Sequence, residues 1–463
     1  MIQSLRNLES FDEEAFTAVH QAGRQVTSIR LNHGKRINSQ FSIFNSQLER
    51  VSWSSDGYYL PERPSFTLDP LFHAGAYYVQ EASSMFLEEA IKQTVDLSKP
   101  IRALDLCAAP GGKSTLIQSI INKESLLVSN EVIKTRVNIL SENMTKWGAV
   151  NVIVTNNDPR DFQRMENYFD LVVVDAPCSG SGLFRKDPGT IDEWSENNVT
   201  LCAQRQQRIL ADVFPSLKEG GILIYSTCSY SQQEDEEIGD WVMKEVKAES
   251  LKLKVAEEWR IVETVSEKEK AFGYRFYPDK VRGEGFFIAA FKKDDGNQRP
   301  KESKGQNLPA RHAGSKTKNK AGKLSAKEIE ILKPYLINAE DFFFIKQNEE
   351  IIAMPIHLEN DLGIIRSSLY IKKAGVKLGT VIRNELIPAH ELALSTILHP
   401  SIPRQEVDKI TALNYLRKEE IKTAILLKGW VLLTYQELPI GWIKVISNRI
   451  NNYYPKEWRI LNM

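Results

Sequence analysis

The sequence predicts an α/β fold built on a doubly wound, Rossmann-like parallel sheet, and two observations carry that prediction. The stretch LDLCAAPGGKSTLI, Leu104–Ile117, reads as a buried strand over Ala103–Leu106, a tight turn of small residues, and a helix opening near Lys113. Downstream, further apolar runs each end in a polar cluster: SNEV at Glu131, VIVTNND at Asp158, FDLVVVDAPCSGSG at Asp175 and Cys178, and GGILIYSTCSYS at Cys228. Open α/β sheets bind ligands at the carboxyl ends of their strands, so these clusters converge on one site.

In the first turn, Ala108, Ala109, Gly111 and Gly112 leave room for a ligand to approach the backbone. The amides at the start of the following helix can then point at it. This is not the phosphate loop of an NTPase, because that pattern requires a Gly five places before Gly112, where Cys107 stands. Taken alone, the turn is also compatible with an ordinary strand–helix corner. A carboxylate at a strand tip, as at Glu131, commonly takes the two hydroxyls of a ribose, in NAD as in other nucleosides. Against NAD, the turn lacks GxGxxG, and a dehydrogenase has no use for thiols at two strand ends.

A chain of 463 residues suggests about three domains. With 60 Lys+Arg against 60 Asp+Glu the net charge is zero, so nucleic-acid binding would depend on local patches rather than on the total. The four cysteines, Cys107, Cys178, Cys202 and Cys228, are widely spaced, with neither a disulfide framework nor a CxxC pair for zinc. A reducing cytoplasm fits them. The opening MIQSLRNLESFDEEAF lacks the pattern of a signal peptide, and no apolar run approaches a membrane span. A cytoplasmic protein without a metal is expected.

Taken in order, Phe11 to about Asn32 suggests a helix and then the strand Ser28–Asn32, followed by short strands at Val51–Trp53 and Gly57–Leu60. This module is rich in Arg, Lys and Tyr, which suits RNA through phosphate contacts and base stacking, but a plain packing module fits equally. Gln80 and Glu81 precede a helix that Ser83 or Ser84 can cap, with Met85, Phe86, Ala90 and Ile91 inward. The pair can line the mouth of a site or tie down a loop. After the fourth strand, SGLFRKDP places Arg185 and Lys186 where two cations could close over an RNA backbone. LCAQRQQRILADVFPSLKEGG reads as an amphipathic helix with Leu201, Ile209, Val213 and Leu217 inward, Cys202 packed, and a Gly-Gly stop. Tyr274–Phe291 reads as a hairpin. Residues 294–323 are polar and rich in Gly and Lys, the composition of a basic disordered linker. Beyond it come a helix capped at Ser325, strands around IIAMPIH and SLYIKKAGVKLGTVI, and a helix from Pro388. Two Gly-Trp strands joined by ELPIG then suggest a small barrel.

The motifs CAAPGGK, DAPCSGSG and STCSYS resemble the signatures of the Sun-type RNA cytosine-C5 methyltransferases, which use S-adenosylmethionine. The likeness extends to Tyr77–Glu81 and to Gly283–Phe287, while SIRLN, the C-terminal extension and NYYPKEWR look most like the RsmF branch, which modifies small-subunit (16S) ribosomal RNA. The resemblance implies a Rossmann-like class I methyltransferase with a small N-terminal α/β RNA-binding module and a PUA-like C-terminal extension. The expected domains are an RNA-binding module at 1–79, the methyltransferase domain at 80–293 and the linker at 294–323. A first C-terminal domain at 324–395 and a PUA-like RNA-binding domain at 396–463 follow, with Lys444, Arg449, Lys456 and Arg459 as its basic ending. It further implies that Cys107, Ala108, Ala109, Pro110, Gly111, Gly112 and Lys113 wrap the amino-acid and sulfonium side of the cofactor. Glu131 would take its ribose, Asp158 its adenine amine, and Asp175 would touch cofactor and base. The partner would be RNA, either 16S rRNA or the small ribosomal subunit, and a monomer is expected.

C5 of cytosine is a poor nucleophile, so methyl transfer there needs prior activation of the ring. A thiolate can add to C6 while an acid donates toward N3, which makes C5 an enamine carbon. Two thiols, Cys178 and Cys228, stand at strand ends, with Asp175 beside the first. Spacing does not assign their roles. The resemblance does: Cys228 of the Thr-Cys motif is the nucleophile and Cys178 of the Pro-Cys motif assists product release, whereas a DNA cytosine-C5 methyltransferase uses the Pro-Cys thiol. Lys113 can orient Asp175 by a charge-assisted hydrogen bond or simply begin its helix. The target base must be extruded or single-stranded to reach the thiol. Two other readings remain at this point: a tRNA methyltransferase, and a catalytically silent RNA-binding assembly factor.

Overall fold

Short β-branched and aliphatic runs build the central sheet. The strands of this sheet that frame the site are, in chain order, β1 (Arg102–Asp105), β2 (Leu126–Asn130), β3 (Val152–Thr155), β4 (Phe169–Asp175), β5 (Leu217–Thr227), β6 (Phe272–Phe276) and β7 (Phe286–Lys293), with Ala248–Leu251 and Val262–Val265 pairing beyond them. β1 to β7 are buried on both faces, as a parallel sheet covered by helices requires. The computed structural model describes residues 1–6, 8, 10–35, 48–294, 322, 324–421, 427–447 and 449–461. Of the linker expected at 294–323, all but Asp294 and Gly322 lies outside the described residues.

β1 to β5 run parallel, in the order β5-β4-β1-β2-β3. β7 adds antiparallel to β5, and β6 to β7. Helices α1 (Gly112–Ile120) and α2 (Lys134–Trp147) lie toward one apolar face with Leu116, Ile117, Val137 and Leu140. Helix α3 (Glu196–Val213) covers the other with Ile209, Leu210 and Val213. The α3 register differs from the sequence expectation. Leu201 is 59% exposed, while Val199, Cys202 and Ala203 face inward. The helix also stops before Pro215 rather than at the Gly-Gly pair, which lies inside β5, because proline cannot donate to the preceding turn.

The N-terminal residues form a helix, Glu13–Gln21, capped by Asp12, and a three-stranded antiparallel sheet of Thr27–Leu31, Gly57–Leu60 and Tyr77–Val79. Val51–Trp53, expected as a strand, is a turn closed by Ser54 N donating to Val51 O at 3.0 Å, and the Trp53 indole donates to Ala82 O at 2.7 Å. Neither Ser83 nor Ser84 caps the next helix. The Glu81 carboxylate does so, accepting from both of their amides at 2.9 Å. A carboxylate satisfies two orphan donors at once, where a hydroxyl would satisfy one.

The C-terminal half packs back on the rest. Strand β8 (Ile371–Ala374) extends the central sheet, antiparallel to β3, with Ile371 opposite Thr155. Helix α4 (Glu359–Ser368) precedes it, and its Asp361 accepts from Arg102 at 3.0 and 2.7 Å and from Tyr168. A separate four-stranded sheet joins Phe342–Gln347, Glu350–Pro355, Val376–Ile382 and Glu385–Pro388. The last sheet holds Arg404–Glu406, Gly429–Tyr435, Leu438–Ile446 and Arg449–Asn452, with helix α5 (Lys409–Arg417) against it. Trp430 and Trp442 meet edge to face in its core, 6.4 Å apart. The other side of this sheet shares an apolar cluster with the N-terminal module, where Ile29, Leu71 and Tyr77 pack with Tyr415, Leu433 and Ile443. Among the described residues no helix is long and apolar enough to cross a membrane.

Candidate active site

The turn after β1 is held open by hydrogen bonds from its neighbours. Ala108 N donates to Asn130 O at 2.8 Å, Arg136 to Ala109 O at 2.6 Å and Asn143 to Pro110 O at 2.8 Å. Gly111 is in the left-handed region with φ 118°, which a side chain would strain. Beneath the turn, the Asp105 carboxylate is fully buried. One oxygen accepts from Ser114 Oγ at 2.6 Å and the other has no hydrogen-bond partner. Burial pushes this carboxyl up to about 7.

Glu131 follows β2 and is buried. Its Oε1 accepts from Ile133 N at 2.9 Å, while Oε2 is buried without a hydrogen-bond partner, with Arg136 3.4 Å away. Asp158 caps the turn after β3, accepting from Arg160 N at 3.2 Å. Next to it, Asn157 exchanges hydrogen bonds of 2.9 and 3.0 Å with the backbone of Tyr370, just ahead of β8. The C-terminal half therefore borders this edge of the sheet. Two buried carboxylates, Asp105 and Glu131, thus each present an oxygen without a hydrogen bond along this backbone turn, the one on Glu131 beside Arg136. Unpaired buried oxygens are costly, and a ligand bearing an amino group and a ribose would satisfy such oxygens. The residues fit S-adenosylmethionine.

The chemistry-bearing groups meet across β1, β4 and β5. Lys113 Nζ pairs with Asp175 Oδ2 at 2.8 Å and lies 5.1 Å from the Phe286 ring centroid, while Asp175 Oδ1 accepts from Ser226 at 2.8 Å. Burial opposes the charge on Lys113, but Asp175 outweighs it and keeps the ammonium above its usual range. Cys178 Sγ and Cys228 Sγ lie 2.9 Å apart, both as free thiols. The contact with Cys228, followed by burial, raises the Cys178 thiol well above the ordinary value. Burial and the surrounding carboxylates likewise push up the Cys107 thiol.

Close backbone packing locks these loops. Gly182 N donates to Cys228 O at 2.8 Å, and a Cβ at Gly182 would lie 2.6 Å from Gly285 O. Arg185 does not face solvent as a phosphate-binding cation. It is buried, pairs with Glu284 at 3.0 Å and donates to Gly283 O at 2.5 Å. Lys186 remains exposed. Glu81 also accepts from Glu284 N at 2.8 Å and so ties down this loop, while Gln80 donates to Ser84 at 3.3 Å and accepts from Arg30. Arg30, buried in the N-terminal sheet, donates to Gln80 at 2.9 Å and to Thr115 on α1 at 2.6 Å.

The sequence-predicted residues Cys107–Lys113, Glu131, Asp158, Asp175, Cys178 and Cys228 all stand at one edge of the sheet. Sequence reading missed Asp105, Asn130 and the acidic run Glu234–Asp235–Glu236. Asn130 joins three strand ends, donating to Leu106 O and Asn157 O at 3.1 and 3.0 Å and accepting from Thr155 at 2.8 Å. An acidic run placed directly after a strand-end cysteine motif was the available signal.

The profile of the 16S rRNA methyltransferase RsmB/F family matches residues 93–292. Those of the RsmF N-terminal domain and the RsmF PUA domain match 1–82 and 403–460. Ribosomal RNA small subunit methyltransferase F of Shewanella woodyi is 30% identical over 447 residues, covering 93% of this chain and 90% of the relative. Its counterpart in Escherichia coli is 29% identical, covering 99% and 94%. A methyltransferase homologue from Pyrococcus horikoshii superposes on 63% of this chain and 98% of its own with a TM-score of 0.51 at 27% identity. NSun6 from the same organism, solved with an S-adenosylmethionine analogue, shares the fold with a TM-score of 0.52 at 19% identity over 63% of this chain and 97% of its own. With its three regions matched in order and a relative of this similarity aligned nearly end to end, the chain belongs to the 16S rRNA methyltransferase RsmB/F family.

Proposed function

We propose that the protein transfers a methyl group from S-adenosylmethionine to C5 of a cytosine in 16S ribosomal RNA through a covalent Cys228–C6 adduct. The observation that carries this reading is the pair of thiols 2.9 Å apart at the ends of adjacent strands, beside the Lys113–Asp175 ion pair. A thiol at C6 attacks as its thiolate, and the adjacent strand ends bring both thiols to the same base.

Cys228 adds to C6 of the extruded base and leaves C5 electron-rich. Asp175 meets the base at N3, held in place by Lys113 and Ser226. When bound, S-adenosylmethionine supplies an electrophilic sulfonium methyl, with Cys107 to Lys113 around its amino-acid side, Glu131 at the ribose and Asp158 at the adenine. A base then takes the C5 proton, the C5–C6 double bond re-forms as the C6–S bond breaks, and Cys228 leaves as a thiolate, a release that Cys178 assists. Four widely spaced cysteines with no disulfide framework in the sequence suit a reducing cytoplasm. Membership of the RsmB/F family supports ribosomal RNA over tRNA, and the intact thiol, carboxylate and lysine set speaks against a silent assembly factor.

Cys228→Ala abolishes both methyl transfer from labelled S-adenosylmethionine and any covalent RNA adduct, and Cys178→Ala traps an adduct on a denaturing gel. Full activity of Cys228→Ala would refute the assignment. Bisulfite mapping with and without the protein in its host shows loss of 5-methylcytosine at 16S rRNA positions. Loss confined to tRNA would overturn the substrate.

A further inference from the structure

One buried carboxylate ties together the two cysteine loops. Ser179 follows Cys178, and Ser229 follows Cys228. Both hydroxyls converge on Glu234, which is fully buried. Ser179 donates its amide to Glu234 Oε1 at 2.8 Å and its hydroxyl to Oε2 at 2.5 Å. The Ser229 hydroxyl donates to the same Oε2 at 2.6 Å. Gln206 on α3 adds a bond of 3.2 Å to Oε1 and another of 3.1 Å to Pro177 O, on the approach to Cys178. Among the described residues no cation pairs with Glu234, unlike Asp235 and Glu236, which share Arg275. A buried carboxylate whose donors come from two loops and from α3 holds those donors in place, because releasing either loop leaves its lone pairs unfilled.

We propose that Glu234 is a positioning residue for both halves of the reaction, setting the spacing of Cys178 and Cys228 by anchoring the residue that follows each. The proposal rests on the reading of Cys228 as attacking thiol and Cys178 as its partner in release. Glu234 touches neither thiol through a hydrogen bond, and acts through Ser179 and Ser229.

The test uses the full chain with Glu234→Ala and Glu234→Gln. With the anchor gone, Cys178 drifts from Cys228 and release fails before attack does. Glu234→Ala is expected to accumulate an RNA–protein adduct that the wild type turns over, with release slowed about a hundredfold, the scale of a misplacement near 1 Å. Glu234→Gln, which keeps one acceptor oxygen, falls between, while S-adenosylhomocysteine affinity stays at the wild-type value. Without RNA, the ratio of iodoacetamide alkylation at Cys178 to that at Cys228, read by peptide mass spectrometry, rises in both variants. Freed from Cys228 and from the nearby negative charge, Cys178 ionises more readily. An unchanged adduct-to-product partition together with an unchanged alkylation ratio overturns the proposal, even if thermal stability falls. If Glu234→Ala does not fold, Glu234→Gln decides by the same two readouts. If the wild type transfers no methyl, the proposed function falls, and the alkylation ratio alone decides on Glu234.

Discussion

Replacing Glu131 with Gln tests the cofactor site at a single oxygen. Oε1 is occupied by Ile133 N at 2.9 Å, a contact that the Gln side-chain oxygen preserves. Oε2 is the free acceptor, buried with no hydrogen bond of its own. A ribose hydroxyl donating there makes a charge-assisted bond in a site that is 2% exposed, worth about 1.5–3 kcal/mol. Arg136, 3.4 Å away, already neutralises part of the charge, which places the loss nearer ~2 kcal/mol. That is roughly a 30-fold change in Kd. Calorimetric titration of S-adenosylhomocysteine into the wild type and Glu131→Gln measures it. The same titration with a 2′-deoxy analogue removes the hydroxyl instead of the acceptor, and the gap between wild type and variant should then close. A variant that binds within about threefold of the wild type, or an equal loss for both ligands, would refute the assignment of Glu131 to the ribose.

The remaining predictions concern how the site is held. Arg185→Ala breaks a pair with Glu284 in which both side chains are 4% exposed. It should cost about 3–5 kcal/mol in denaturant unfolding while leaving the salt dependence of RNA binding intact. Lys186→Ala, at an exposed position, should instead leave stability alone and flatten the salt slope by roughly 0.7 if it meets a phosphate. Burial opposes the charge on Asp361, but Arg102 and Tyr168 hold its carboxyl below the usual range. This depressed pKa contributes stability above the unfolded value of about 3.9, lost as pH falls toward the folded one. The Tm difference between wild type and Asp361→Asn should therefore shrink below about pH 4. Burial lowers the Lys35 ammonium to about 7, and its amine donates to the Ala74 and Lys146 carbonyls. The unfolded chain then binds more protons between about pH 7 and 10, so stability gained by the wild type over that range should be absent in Lys35→Met. A flat difference between the two unfolding curves would show that Lys35 keeps an ordinary pKa.

The apolar runs and the small-residue turn were legible because period and composition suffice for them: β1 to β5 and α1 stand where those patterns place them. What was not legible depends on partners far along the chain. Arg185 reads as a free cation in FRKDP, yet Glu284, 99 residues away, takes it inside. LYIKKAG reads as a strand, but not as one that would pair with β3 from more than two hundred residues downstream. Leu201 and Cys202 differ by one helical position, and only packing against the sheet decides which faces in. The run EDEE after the Thr-Cys motif looks like a solvated helix start, the usual place for such charges. Its first three carboxylates, Glu234, Asp235 and Glu236, are buried because Ser179, Ser229, Thr227 and Arg275 supply donors from three other segments, while Glu237 stays exposed.

The thiol pair shows how the two kinds of information combine. β4 and β5 are adjacent and parallel, in a register that sets Asp175 opposite Ser226. Cys178 lies three residues past the first and Cys228 two past the second, so both emerge over the same edge. Each motif could be read from its own strand, but the contact between them depends on strand order, and neither run states which strand will lie beside it. In a doubly wound sheet that order is set by right-handed crossovers and by helix packing on both faces. The site's chemistry is therefore local in sequence, while its geometry is a property of the whole sheet and of the buried carboxylates that pin its loops.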